Sequence, residues 1–419
     1  MMKAHMHILC ITLTGKQNQG ARAIQMAKVI KALQHQGAFV TVITCRNDKL
    51  NDFNWQAGRI IYIDAAKHPE TKTRRWSLIS KIAGKAFPQW DLITRLAVDK
   101  ALEVIETEKP DCIFSSSNPI SSHMAGLKVA EITGLPWLAS FSDPKPSTML
   151  PPPYGNAFKR LLPKGYKTGL RKVLQNCDAV HMPTSICLDI TEKYYHVSLA
   201  GRSFPIPPIG ETTFKPEKKP GNGYLVHLGS TTKRLSDAFL QALADFVREN
   251  PKNFKGILFV GKRQKKTQSL INKYGLGSIV KTKPQLPHHE ALEIVNNAGA
   301  VLILEADMPY SHALPSKFAE ATFAGTPILA VTPVKSAIRK YLDTHGGGIA
   351  VANCRKEIAS GLGAIFGDNP IDRNKITTEQ EALSKNFTFD EIGQKYMMVF
   401  HHIMAQKTSS APPGSCGCY

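Results

Sequence analysis

Ser316, Lys317 and Glu320 lie close together at the start of the stretch Pro315–Ala330, PSKFAEATFAGTPILA. A hydroxyl and an ammonium at or just inside a helix N-terminus suit a phosphate. The first N–H groups of a helix have no partner within it, and its dipole is positive at that end. Glu320 follows Lys317 by three residues, so it shares a helix side with the lysine and can reach a neighbouring group of the same ligand. A carboxylate beside a phosphate site suits a pair of sugar hydroxyls, as the acidic residue of dinucleotide folds does for ribose. The same spacing also fits a capped surface helix with an ordinary lysine and glutamate.

Three other places carry possible chemistry. The loop Gly229-Ser230-Thr231-Thr232-Lys233-Arg234 joins a strand at Tyr224–Leu228 to an amphipathic helix that reaches Glu249. Glycine, hydroxyls and a cation before a helix suit a diphosphate; Arg234 is either part of that site or a solvated arginine at the helix start. Ser142-Asp143-Pro144 follows a buried strand, Pro136–Phe141, at its C-terminal end. Ligand groups gather at that edge in open α/β sheets, although Asp-Pro is also a common turn starter. His123 stands at the beginning of a helix and could cap, pack or bind.

The elements that position these residues alternate strand and helix. A strand at residues 6–12, the loop Thr14–Gly20, a helix Ala21–Gln36 and a strand Phe39–Thr44 form a βαβ unit, which predicts a parallel sheet. The loop lacks the G-x-G-x-x-G and P-loop spacings, so Gly20 only permits close backbone approach. Within Pro315–Ala330 the composition predicts a helix over Lys317–Ala324, ended by Gly325 and followed by a buried strand that Pro327 opens. The α/β pattern occurs twice. Phe214–Gly223 is polar and rich in turn formers, as a linker is. The spacing therefore divides the chain into residues 1–213, a linker at 214–223, a second domain at 224–388, a final helix at 389–406 and a tail at 407–419 with disordered composition.

A chain of 419 residues exceeds one ordinary core. No window approaches the ~18–20 apolar residues that span a bilayer. The dispersed cysteines suit reduced thiols in a cytoplasmic protein, and the close pair Cys416 and Cys418 is weak evidence for a metal site. The net charge of +20 attracts phosphorylated ligands, anionic membrane or nucleic acid. No nucleic-acid reading module accompanies it, so nucleic acid is not expected as a partner. No acidic residue falls between Asp143 and Asp178, while Lys145, Lys159, Arg160, Lys164, Lys167, Arg171 and Lys172 accumulate there. A second basic cluster, Lys72–Lys85, surrounds Trp76 and Ile79. Amphipathic basic stretches of this kind suit an anionic membrane surface.

The block PSKFAEATFAGTP resembles the donor-binding signature "P-S-K-x-x-E-x-x-x-x-G-x-P" of GT-B glycosyltransferases, especially the bacterial family-four enzymes. Pro110–Pro144 is similar to their N-domain pattern, and residues 5–405 follow the family overall. The resemblance implies a GT-B architecture, with two Rossmann-like domains facing each other across a cleft. It implies that Lys317 meets a donor diphosphate and Glu320 its ribose, with Gly229, Ser230, Arg234 and Ser316 also on the donor. Asp143 would orient the acceptor hydroxyl or take its proton, with Gly20 and His123 on the acceptor side. This chain departs from the family at three places. His312 replaces a second glutamate eight residues before Glu320, and Ser140 and Ser142 stand where an aspartate and an arginine are usual.

The expected activity is transfer of a hexosyl or related sugar, with retention, from a nucleotide sugar (UDP-linked) to a saccharide or lipid-linked acceptor in lipopolysaccharide, capsule or exopolysaccharide assembly. Catalytic roles fall to Asp143, Arg234 and Lys317. No cofactor or metal is expected, in keeping with the lack of an Asp-x-Asp sequence. The expected place of work is the cytoplasm, at the inner face of the membrane. The alternatives are a nucleotide-sugar epimerase of the same fold and a catalytically silent relative that binds membrane or a partner enzyme.

Overall fold

The computed structural model describes residues 6–13, 21–46, 57–64, 91–155, 164–212, 221–249, 252–261 and 265–410. Gly20, the Lys72–Lys85 cluster, most of the linker and the Cys416–Cys418 pair lie outside the described residues. The chain forms two compact units. The first takes its residues from Met1–Leu150, Ala157–Pro207 and Phe389–Tyr419, the second from Pro151–Asn156 and Pro208–Thr388.

In the first unit the chain runs β1 (His7–Ile11), α1 (Ala21–His35), β2 (Phe39–Cys45), β3 (Arg59–Ile63), α2 (Leu92–Glu108), β4 (Cys112–Ser116), α3 (Ser121–Thr133) and β5 (Trp137–Ser140). It continues through α4 (Lys164–Asn176), β6 (Ala179–Met182), α5 (Ser185–Tyr195) and β7 (Ser203–Pro205). The strands pair in parallel in the order β3-β2-β1-β4-β5-β6-β7. Their near-continuous apolar sequences, such as ILCI in β1, are what a sheet covered on both faces requires. Alternation divides the side chains. Leu9, Ile11, Ile113, Trp137 and Val180 join a core with residues of α2, α3, α4 and α5. Phe114, on the other face, packs on Tyr396 and Phe400 at ring-centroid distances of 5.7 and 5.6 Å.

The second unit runs β8 (Tyr224–Leu228), α6 (Asp237–Arg248), β9 (Gly256–Val260), α7 (Lys265–Lys273), β10 (Val280–Lys283), α8 (His288–Asn296) and β11 (Ala300–Leu304). Then come α9 (Ser316–Ala321), β12 (Ile328–Val331), α10 (Ala337–His345), β13 (Gly348–Val351), α11 (Arg355–Phe366) and α12 (Arg373–Ser384). Its parallel sheet has the order β10-β9-β8-β11-β12-β13. The chain returns to the first unit as α13 (Phe389–Ser410), which packs along α1 and against β5. In both sheets the first strand is central and the order of strand addition reverses beside it, between β1 and β4 and between β8 and β11. Crevices at the carboxyl ends of strands flanking such a reversal are where open α/β sheets bind ligands.

Local differences from the expected elements have simple causes. The helix expected over Lys317–Ala324 is Ser316–Ala321 followed by turns, with Gly325 left-handed at φ 65°. The amphipathic helix of the second unit starts only at Asp237, because the Ser236 hydroxyl caps it by accepting from the Phe239 amide at 3.1 Å. Arg234 therefore sits in the loop ahead of the helix. The strand expected at 278–280 runs Val280–Lys283, and the proline-rich stretch near 204 contains the short edge strand β7, where proline is tolerated.

Candidate functional site

At the reversal point of the second sheet, β8 ends in Leu228 and Gly229, and β11 ends next to Glu305. Gly229 has φ 109°, and a β-carbon on it would collide with the Lys317 ammonium. The carbonyl end of β8 thus turns sharply and leaves room for a cation, which only glycine allows. Lys317 Nζ donates to the Leu228 carbonyl at 2.9 Å. Its helix α9 is oriented by Phe318, Ala319 and Ala321, all buried, with Phe318 edge-on to Phe387 at 5.9 Å. Lys317 reaches the end of β8 instead, and Glu320, its side chain 9% exposed, reaches His288. Burial lowers the pKa of Lys317, Arg234 adds to that effect and Glu320 opposes it. Glu320 Oε1 lies 3.4 Å from His288 Nε2 at the start of α8. Ser316, the first residue of α9, is half-buried. α9 has fewer than two turns, so the full charge of Lys317 outweighs its dipole.

The loop after β8 carries the rest. Ser230 Oγ accepts from the Thr232 amide at 3.2 Å, and Lys233 adopts a left-handed φ of 67°. Arg234 Nε donates to the Tyr154 hydroxyl at 3.1 Å. Tyr154 comes from the segment Pro151–Asn156, which belongs to the second unit although its neighbours in sequence belong to the first. Its ring stands edge-on to His312 at 5.5 Å and under the Lys233 ammonium at 5.4 Å. A cleft of about 740 Å³ opens here, lined by Pro152, Pro153, Thr231, Lys233, Arg234 and Asp307 among others.

Glu305 is a buried carboxylate that sequence reasoning missed. Ser311 donates to its Oε1 at 2.5 Å and Thr332 to its Oε2, so the carboxylate ties the turn carrying His312 to the end of β12. Burial raises its pKa, against the pull of these hydrogen bonds and of Arg234. The one sign in the sequence is an acid directly after the apolar run AVLIL. Tyr154 gave none: an aromatic after a proline run reads as an ordinary turn.

In the first unit Asp143 stands just beyond β5, half-buried, and accepts from the Ser142 hydroxyl at 3.1 Å. Arg22, from the first turn of α1, lies beside it and was also missed, since a helix-start arginine reads as solvated. Its Nη2 donates to Ser116 Oγ at 2.6 Å, Ser140 Oγ at 2.9 Å and the Ser140 carbonyl at 3.3 Å. Burial lowers the Arg22 pKa, while the charge of Asp143 opposes that. Ser140 is thus an acceptor for Arg22.

His123 is fully buried, its ring 4.1 Å from that of Phe141. Trp137 Nε1 donates to Ser115 Oγ at 2.8 Å, and Ser115 Oγ is also hydrogen-bonded to His123 Nδ1 at 2.8 Å. Burial, helped by Arg22, pushes the His123 pKa down to about 3 and holds the ring neutral. The structure brings Gly229, Ser230, Arg234, Ser316, Lys317 and Glu320 together around the end of β8, and places Asp143 and His123 at the sheet edge of the first unit. Among the described residues, no group of His, Cys, Asp and Glu could hold a metal, and no helix is long and apolar enough to cross a membrane.

No family model matches the chain, and no curated protein does. Solved structures do. A sucrose-phosphate synthase from Thermosynechococcus elongatus has a TM-score of 0.66 at 17% identity, covering 96% of this chain and 100% of its own. The lipopolysaccharide outer core galactosyltransferase WaaB, in its apo form, scores 0.60 at 13% identity, covering 94% and 99%. A putative UDP-N-acetylglucosamine 2-epimerase from Listeria monocytogenes scores 0.59 at 12% identity, covering 99% and 100%. Identities this low speak for the fold alone, and the fold is the α/β GT-B type, two Rossmann-like units each built on a parallel sheet.

Proposed function

We propose that the chain is a glycosyltransferase that moves a sugar from a nucleotide-sugar donor to an acceptor hydroxyl. The observation that carries this reading is the meeting of Lys317, Gly229 and Arg234 at the end of β8, with Glu320 one helical turn beyond the lysine. The paired cations Lys317 and Arg234 suit a diphosphate, and Glu320 suits the ribose hydroxyls. In turnover Lys317 and Arg234 stabilise the charge that develops on the departing diphosphate, which pre-placed cations do without reorganisation. Asp143, in the first unit, orients the acceptor hydroxyl. The donor is UDP-linked, the sugar a hexose or close relative, the outcome retention, and no metal enters the chemistry.

The acceptor is a saccharide or lipid-linked glycan of lipopolysaccharide, capsule or exopolysaccharide. WaaB, similar in fold, has lipopolysaccharide core in its name. The enzyme works in the cytoplasm against the anionic inner face of the membrane, where the basic residues of α4 favour attachment. A second reading, a nucleotide-sugar epimerase, is favoured by the similarity to the Listeria monocytogenes structure. Incubation with a panel of nucleotide sugars, with and without lipid extract, separates the two. A transferase releases nucleoside diphosphate only when acceptor is present, and an epimerase converts the sugar without one. Neither reaction with any donor would defeat both readings.

A further inference from the structure

We propose that the C-terminal edge of the first unit's sheet is an oxyanion site, in which Arg22, Thr12 and Thr44 hold a phosphate or carboxylate group of a ligand. The pairing of the strands sets up the site. Ile11 pairs with Ile43 of β2 and with Ser115 of β4, and the Thr12 amide donates to the Ile43 carbonyl at 3.0 Å. One step further along these parallel strands, Thr12 stands between Thr44 and Ser116. Ser116 pairs with Ser140 and Ser140 with His181. Five polar side chains thus form a row across β2, β1, β4, β5 and β6, on the face that α1 and α13 cover, and none is more than 3% exposed.

Such a row in a buried layer is costly unless its groups are bonded. Toward β6 it is satisfied. Arg22 donates to Ser116 and Ser140, the Ser140 hydroxyl points to His181 Nδ1 at 2.8 Å, and His181 Nε2 donates to the Ile206 carbonyl at 3.0 Å. Toward β2 it is not. Thr12 Oγ1, Thr44 Oγ1 and Arg22 Nε are buried atoms without a hydrogen-bond partner among the described residues. Among the described residues, no carboxylate hydrogen-bonds the guanidinium. Asp143 acts on it only through its charge, and the bonded oxygens all belong to serines.

A guanidinium and two hydroxyls with hydrogens to donate are complementary to an oxyanion, which accepts several charge-assisted bonds at once. The place is right for a ligand, because β1 and β4 flank the reversal of strand order. Arg22 also keeps part of its surface open to solvent. If the transferase reading holds, the oxyanion belongs to the acceptor. The site itself does not depend on that reading, and the test below uses neither donor nor turnover.

The test is thermal unfolding of the full chain in sodium phosphate against sodium chloride of equal ionic strength. It is run on the parent, on Lys317→Ala to silence phosphate affinity in the second unit, and on Lys317→Ala with Thr12→Val and Thr44→Val. Valine keeps the shape of threonine and removes only the hydroxyl, so without phosphate the triple variant should melt at or above the Lys317→Ala protein. The expected result is a phosphate-dependent rise in Tm that survives Lys317→Ala and falls by more than half in the triple variant. Arg22→Lys, which keeps the charge and loses the fork, should weaken phosphate at least tenfold and serves if the valine variant does not fold. Glucose 6-phosphate and phosphatidic acid in phosphatidylcholine vesicles then distinguish a soluble phosphorylated ligand from a lipid headgroup. A phosphate response abolished by Lys317→Ala alone, or unchanged by the valines and by Arg22→Lys, overturns the proposal.

Discussion

The Lys317 ammonium lies where a β-carbon on Gly229 would sit, so any larger residue at 229 must move the end of the lysine. The left-handed turn at φ 109° exposes the Leu228 carbonyl to the ammonium, and that bond holds the charge in place before any ligand arrives. Gly229→Ala must both strain the backbone and displace Lys317. We expect it to destabilise the protein by about 1–3 kcal/mol and to weaken nucleoside diphosphate binding about tenfold or more. In a Lys317→Ala background the same change should cost less, because the clash is gone. Calorimetric titration and thermal melts of the two single variants and the double variant decide it; strictly additive effects would show that the two residues do not share a site.

Lys317→Ala and Glu320→Ala should each weaken nucleotide-sugar binding by on the order of 1.5–3 kcal/mol, the range for a lost hydrogen bond to a charged group. The lysine variant should lose affinity for inorganic diphosphate as well, whereas the glutamate variant should keep it. Wild-type affinity in a folded Glu320→Ala protein would remove the ribose from this carboxylate.

Most of the fold was legible because parallel strands read as short apolar runs and their helices as stripes closed by glycine, as at Gly37 with φ 83° and Gly134 with φ 70°. The grouping of Ser316, Lys317 and Glu320 was legible because they sit within five residues of one another. What escaped was long-range. Arg22 meets Ser116 and Ser140 across separations of 94 and 118 residues, and Tyr154 meets Arg234 across 80. Glu305 is held by Ser311 and Thr332, which no local spacing announces. His123 could cap, pack or bind by its sequence position; it packs, as a neutral core residue bonded to Ser115 of the strand beneath.

Asp143→Asn should lower turnover far more than donor affinity, because Asp143 lies in the first unit and the donor cluster in the second. A tenfold or greater loss in kcat with donor Kd within about twofold is the expected split, equivalent to ~1.4 kcal/mol or more in the transition state alone. Equal losses in both constants, or none, would leave Asp143 as a turn residue.

Stability should fall in mild acid. Burial lowers the pKa of His123 and His181 to about 3 and of His227 to about 4, from 6.5. Below pH 6.5 the unfolded chain takes up protons that the folded chain refuses, so their contribution is complete above that pH and shrinks as the pH drops toward 4. Each can remove up to ~1.4 kcal/mol per pH unit. Chemical denaturation between pH 7 and 4.5 should show this slope, and His123→Gln should make it shallower. An unchanged slope would mean that this imidazole is protonated in the folded protein.

Replacing Lys164, Lys167, Arg171 and Lys172 of α4 by glutamine should weaken binding to anionic vesicles, at ~1 kcal/mol for each cation near the surface, and leave donor affinity intact. Lys167 and Arg171 are exposed, and Lys167 lies over the Tyr194 ring at 4.6 Å. Parent-like vesicle binding by the quadruple variant would exclude α4 as the membrane face.

The return of α13 to the first unit sets an order on synthesis. Tyr396 and Phe400 cover Phe114 on a face of the first sheet, yet they follow every residue of the second unit. As the chain leaves the ribosome, that apolar face stays without its cover while the whole second sheet is being made. The half translated first is the half completed last, and premature termination after residue 388 would damage the beginning of the protein rather than its end.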